Sequence, residues 1–135
     1  KAYGITCLRS AVHNFFHDMP SALGAADLVI SRSGASSLAE LAAANVPAIL
    51  VPLPTAADDH QRANARAAAK SGGVIVLEET ETTSDAFAEQ VVGLISDTGR
   101  LMEMANAMKS LDRPDAAKLI AARILDTCEK RAIDS

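Results

Sequence analysis

Short, unbroken apolar runs alternate along this chain with stretches of helical spacing. Asp27-Leu-Val-Ile-Ser31, Ala48-Ile-Leu-Val51 and Val74-Ile-Val-Leu77 are continuous in their apolar residues rather than alternating. That is the pattern of strands buried on both faces of a parallel sheet. Between the first two lies a predicted helix over residues 35–44, with Leu38, Leu41 and Ala42 on one face. Asn45 follows where a helix end needs a left-handed residue, and Pro47 blocks continuation. A second helix is expected from about 59 to 71, ended by Gly72-Gly73. Two more follow at 84–96 (Phe87, Val91, Leu94, Ile95) and 98–110 (Leu101, Met104, Ala105, Met108), and a last one starts near Pro114. Upstream, residues 18–26 read as a short helix with Asp18 as N-cap and Pro20 in the first turn, and residues 5–8 and 10–14 are weaker strand candidates. The alternation predicts an α/β fold, a parallel sheet with helices on both faces. Ligands of such sheets bind beyond the carboxyl ends of the strands. The turn after residue 31 and the loop after residue 51 both lie at such ends and are expected to be neighbours.

Composition changes this picture little. A chain of 135 residues predicts one domain. Surface scaling gives about 6,700 Å² folded against about 20,000 Å² unfolded, enough burial for a core without staples. Trp is absent and aromatics are few, so Ala, Leu, Ile and Val must supply that core. The methionines are read as packing rather than as a ligand box. A net charge of −4 with no basic stripe argues against a nucleic-acid partner. Cys7 and Cys128 have no metal-ligand spacing around them. Cys128 shares the apolar face of the last helix with Ala117, Ile120, Ala121, Ile124 and Leu125, and is expected to be a buried, reduced thiol. The residues from Lys1 to Ser135 do not read as a signal peptide at any point and hold no apolar run long enough to cross a bilayer, and sequence outside them could hold either. The chain starts with Lys1 rather than Met, which suggests a piece of a longer protein.

The candidate chemistry is concentrated in Ser31-Arg-Ser-Gly-Ala-Ser-Ser37, where a strand ends in a small-residue turn and a helix begins at once. Free amides and the positive end of the helix dipole make such a place a phosphate seat. Gly34 allows close backbone approach. Ser36, Ser37 and Glu40 would share one helix face, with Glu40 able to accept from paired hydroxyls as acidic residues do for ribose. The competing reading is structural: Ser37-Leu-Ala-Glu40 is also a capping box. Asp58-Asp-His-Gln61 opens the next helix and admits the same two readings. His60, Gln61 and Asn64 could meet the polar groups of a ligand, or Asp58 and Gln61 could simply box the helix start. One His and two adjacent Asp are too few for a metal site. In Phe15-Phe16-His17-Asp18-Met19 either both aromatics lie in the core or one faces a pocket for a planar base, while His13 and His17 are read as surface residues. No Walker motif and no nucleophile elbow is present.

Taken together, Ala26-Asp-Leu-Val-Ile-Ser-Arg-Ser-Gly-Ala35, Ala39-Glu-Leu-Ala-Ala-Ala44, Pro47-Ala-Ile-Leu-Val-Pro-Leu-Pro54 and Asp59-His-Gln61 with Asn64-Ala65 resemble the MurG family of UDP-N-acetylglucosamine transferases. Phe15-Phe-His-Asp-Met19 and Arg113-Pro-Asp-Ala-Ala117 are similar to that family too, so the resemblance runs through nearly the whole chain. It implies two Rossmann-like domains in the GT-B arrangement, with residues 1–135 an incomplete C-terminal, donor-binding domain. The implied reaction moves GlcNAc with inversion from UDP-GlcNAc to the muramoyl 4-hydroxyl of lipid I, giving lipid II for peptidoglycan.

Carried over by residue, the resemblance implies that the Phe16 backbone meets the uracil and Met19 lines that pocket. Ser36 and Ser37 with the Gly34-Ala35 backbone would hold the diphosphate, and Ser33 belongs to the same substrate-binding set. Glu40 would bind the ribose, and His60, Gln61 and Asn64 would face or support the sugar. It implies no metal, no cofactor and no catalytic residue on this chain. Lipid I and the inner face of the bacterial cell membrane would be met through the N-terminal domain, from the cytoplasm. The alternative is a non-catalytic nucleotide-sugar-binding module acting with a partner acceptor subunit.

Overall fold

A computed structural model describes residues 9–54 and 59–133. The elements run α1 (Met19–Gly24), β1 (Val29–Ser31), α2 (Ala35–Ala44), β2 (Ala48–Leu50), α3 (His60–Ala69), β3 (Val74–Val76), α4 (Ser84–Ser96), α5 (Thr98–Met108) and α6 (Ala116–Ile133). The three strands form one parallel sheet in the order β1-β2-β3. Val29, Ala48 and Val74 lie in register, as do Ile30, Ile49 and Ile75, and then Ser31, Leu50 and Val76.

Because strand side chains alternate between faces, those rows build two cores. Ala48, Leu50 and Val74 pack with Leu41 and Ala42 of α2, Ala65 and Ala68 of α3, and Met108. On the other face Ile49 packs with Leu94 of α4 and Met104 of α5. Helices therefore cover both faces, and the continuous apolar strands follow from that. The local signals for the element ends hold as well. Asp18 caps α1 by accepting from the Ser21 amide at 3.1 Å. Asn45 closes α2 in the left-handed region at φ 52°. Thr83 and Asp97 cap α4 and α5. Gly73 sits under α5, where an added Cβ would lie 2.6 Å from the Met108 sulfur and 2.9 Å from its amide nitrogen.

Three expectations fail. Residues 10–14 form no strand and are exposed; a lone segment cannot offset its backbone ordering without a neighbour to pair with. Residues 5–8, with Cys7, lie outside the described residues. Phe15 and Phe16 are both exposed and neither enters the core. Their rings lie beside those of His17 and His13, with centroids 5.2 and 5.0 Å apart. Cys128 is exposed, because α6 has its patterned face uncovered: Leu119, Ile120, Ile124 and Leu125 are each more than half exposed. The accessible surface, 9976 Å², exceeds the roughly 6,700 Å² that scaling gives for a closed domain of this mass. No described helix is long and apolar enough to cross a membrane.

Candidate functional site

The carboxyl ends of β1 and β2 are neighbours: the Val51 amide donates to the Ser31 carbonyl at 2.9 Å. The chain leaving β1 reaches Gly34 and turns directly into α2. Gly34 is the N-cap, and no side chain caps the helix. The capping box of Ser37 and Glu40 does not form, since Ser37 is already the third helical residue rather than the residue before the helix. The amides of Ala35, Ser36 and Ser37 thus have no acceptor within the helix, whereas the Leu38 amide reaches the Gly34 carbonyl at 3.0 Å. Those three amides open at the end of the sheet where ligands of this fold class bind.

Ser33 joins this turn to α3. It is fully buried, and its hydroxyl donates to the Gln61 carbonyl at 2.7 Å. Asn64 returns the contact, its side-chain amide donating to the Ser33 carbonyl at 3.2 Å. The Gln61 side-chain oxygen accepts from the Leu53 amide at 3.1 Å, pinning the loop after β2 to α3. Ser33, Gln61 and Asn64 therefore form a frame, which leaves the Gln61 amide group and the Asn64 side-chain oxygen for other partners. Asp58 lies outside the described residues. Asp59, at φ 54°, is the N-cap of α3 and makes no side-chain cap. His60 opens the helix and is exposed.

Glu40 and Met19 meet at a second place. Together with Pro20, Leu23, Gly24, Ala43 and Ala44 they line a cavity of about 340 Å³ between α1 and α2. The N-cap at Asp18 holds α1 there, and its carboxylate is lowered from its ordinary pKa by the Ser21 hydroxyl and the Ser21 amide. Phe16 is half-exposed three residues before Met19. The structure thus brings Ser33 to Ser37 close to Gln61 and Asn64, and Met19 close to Glu40. No side chain of the described residues joins the two groups directly.

Sequence reasoning missed two arginines. Arg32, just before Ser33, donates from Nη1 to the carbonyls of Val51 and Pro52, at 3.2 Å each, and to Glu79 at 2.6 Å. Arg62 in α3 sets its Nε on both oxygens of Glu78, at 3.0 and 3.2 Å, and its Nη1 on Asp59 at 3.0 Å. The Glu78 contact, then the Asp59 charge, holds the Arg62 guanidinium above its ordinary pKa. Only charge and position in the sequence pointed to these residues; their partners are far away along the chain. Among the described residues no group of three or more His, Cys, Asp and Glu is placed to hold a metal.

Residues 4–120 match the family model described as "Glycosyltransferase family 28 C-terminal domain". Among curated relatives, the UDP-N-acetylglucosamine–N-acetylmuramyl-(pentapeptide) pyrophosphoryl-undecaprenol N-acetylglucosamine transferase of Chlorobaculum parvum is 46% identical over 111 residues, 82% of this chain and 30% of that one. The transferase of the same name from Marinobacter nauticus is 40% identical over 131 residues, 97% of this chain and 35% of that one. The chain spans about a third of the length of these relatives. A solved structure of Acinetobacter baumannii MurG is similar with a TM-score of 0.76 at 35% identity, over 83% of this chain and 32% of that one.

Proposed function

The chain belongs to the glycosyltransferase family 28 C-terminal domain family, and from that premise we propose that it is the donor-binding half of an inverting glycosyltransferase. The donor is UDP-GlcNAc and the acceptor is lipid I, the product being lipid II for peptidoglycan. The uncapped start of α2 carries this reading. Three amides and the helix dipole converge beyond the end of β1, the arrangement that holds a phosphate. Gly34 supports it. Its φ of −64° suits any residue, and an added Cβ would meet only the Ser37 hydroxyl at 3.7 Å. The fold does not require glycine there, so the absence of a side chain serves close approach by a ligand.

In this reading the Gly34–Ser37 segment holds the diphosphate, with the Ser36 and Ser37 hydroxyls adding donors and Ser33 fixing the turn from beneath. Glu40 accepts from the ribose hydroxyls, Met19 lines the uridine pocket and the Phe16 backbone meets the uracil. His60, Gln61 and Asn64 stand at the sugar end. As the bond to the sugar breaks, negative charge grows on the diphosphate leaving group. Preorganised amides stabilise that charge without a metal. The acceptor site, the general base and the contact with the cytoplasmic face of the bacterial membrane are assigned to the rest of the protein.

Calorimetric titration of UDP-GlcNAc into the full-length protein tests the reading. The wild type is expected to bind, and Glu40→Ala to lose about 1–3 kcal/mol, the scale of an orphaned polar contact. A wild type that ignores UDP-GlcNAc overturns the donor assignment. A Glu40→Ala protein with unchanged affinity overturns the ribose role.

A further inference from the structure

The segment leaving β3 carries two consecutive carboxylates, Glu78 and Glu79, and each is gripped by an arginine from a different part of the candidate site. Arg32 belongs to the turn after β1. It crosses the exit of the central strand, touching the Val51 and Pro52 carbonyls on the way to Glu79. Arg62 belongs to the first turn of α3, after β2, and reaches Glu78 while also holding Asp59 beside His60. The chain turns here, the Glu81 amide donating to the Glu78 carbonyl at 3.1 Å, and the two adjacent carboxylates serve two partners that one could not.

We propose that Glu78 and Glu79, with Arg62 and Arg32, are positioning residues that set the phosphate-holding turn at 33–37 in register with the sugar end at 59–64. The inference rests on the donor-site reading. Stability alone is a poor account of the Arg32–Glu79 pair. Arg32 and Glu79 are about half exposed, at 46% and 51%, and exposed ion pairs add little stability. Direction is what they supply. The guanidinium is a planar, multi-donor group, and the Nη1 of Arg32 alone touches three acceptors on two strand exits. A small displacement between groups that must act on one ligand carries a large cost in binding and rate. The buried hydrogen bonds of Ser33 and Asn64 tie the same two segments from beneath, and the two ion pairs tie them from the sheet end.

The test uses the full-length protein with Glu78→Gln, Glu79→Gln, Arg32→Lys and the Glu78→Gln/Glu79→Gln double variant. Gln keeps the shape of Glu, so folding is preserved. Amide hydrogen exchange of the unliganded proteins is compared at Leu38, whose amide is bonded to the Gly34 carbonyl, and at Leu53, whose amide is bonded to the Gln61 side chain, and Kd is measured for UDP and for UDP-GlcNAc. Exchange is expected to rise several-fold at Leu38 for Glu79→Gln and Arg32→Lys, and at Leu53 for Glu78→Gln. Glu79→Gln is expected to weaken UDP and UDP-GlcNAc alike, by about threefold to tenfold, and Glu78→Gln to weaken UDP-GlcNAc more than UDP. The double variant should depart from additivity, because one register is shared. Unchanged exchange, or raised exchange with Kd values within twofold of a wild type that binds, overturns the inference and leaves the donor reading intact. A wild type that binds neither ligand overturns the donor reading instead, and the exchange data then still decide whether these side chains hold the two segments.

Discussion

Helices α2 and α6 carry the same kind of pattern and meet different fates. In α2, Leu41 and Ala42 are each 2% exposed and belong to the core with β2 and α3. In α6, Ile120 and Ile124 lie four apart on one face, as Leu38 and Ala42 do in α2, yet are 61% and 58% exposed. Spacing states which face of a helix is apolar. It does not state what covers that face. For α2 the cover is local in the chain, since the flanking strands pair in parallel and the right-handed crossover lays the helix on the sheet. For α6 no described residue covers it, and what shapes the helix is local: its own backbone ladder and short-range pairs such as Asp126 with Lys130 at 2.9 Å.

The comparison can be broken at several points. Leu41→Ala should cost about 2–5 kcal/mol in urea unfolding of this 135-residue chain, the range for a buried large-to-small change. Gly73→Ala should cost about 1–3 kcal/mol by overpacking against Met108; a neutral result would mean that α5 shifts freely on the sheet. Ile124→Ala should stay within about 0.5 kcal/mol of wild type, as exposed substitutions do, and a loss as large as that of Leu41→Ala would end the contrast between the two helices. The smallest effect is at α1. The Asp18 pKa is lowered in the folded state, so its cap contributes above the ordinary aspartate pKa, and the contribution is lost as pH falls through the lowered value. An NMR titration of Asp18 with its midpoint at the ordinary value would remove the cap from the account.

Much of the layout was legible because its causes are local. Asn45 in the left-handed region, Asp18 before Ser21, and Pro47 ahead of β2 each act within a few residues, and the elements they bound lie within a residue or two of expectation. The serine turn was legible for the same reason, as a strand end followed at once by a helix. Whether Ser37 caps the helix was not, because that depended on whether Gly34 or Ser37 stands at the helix threshold. The frame around it was hidden as well. Ser33 meets Gln61 across 28 residues and Asn64 across 31, and Arg32 meets Glu79 across 47. No periodicity reports on pairs so far apart.

The Phe15-Phe16 pair and the apolar face of α6 have the composition of buried segments, and burial needs a second surface. By itself the sequence determined the order of elements, their ends, the two-faced parallel sheet and the turn whose amides face its carboxyl edge, because backbone propensity, capping and hydrophobic spacing act along the chain. Only the tertiary structure decided that Ser33 is buried with its hydroxyl on the Gln61 carbonyl, that Arg32 and Arg62 grip consecutive carboxylates, and that no described residue covers the apolar face of α6. Those outcomes depend on which surfaces arrive opposite one another when the sheet closes.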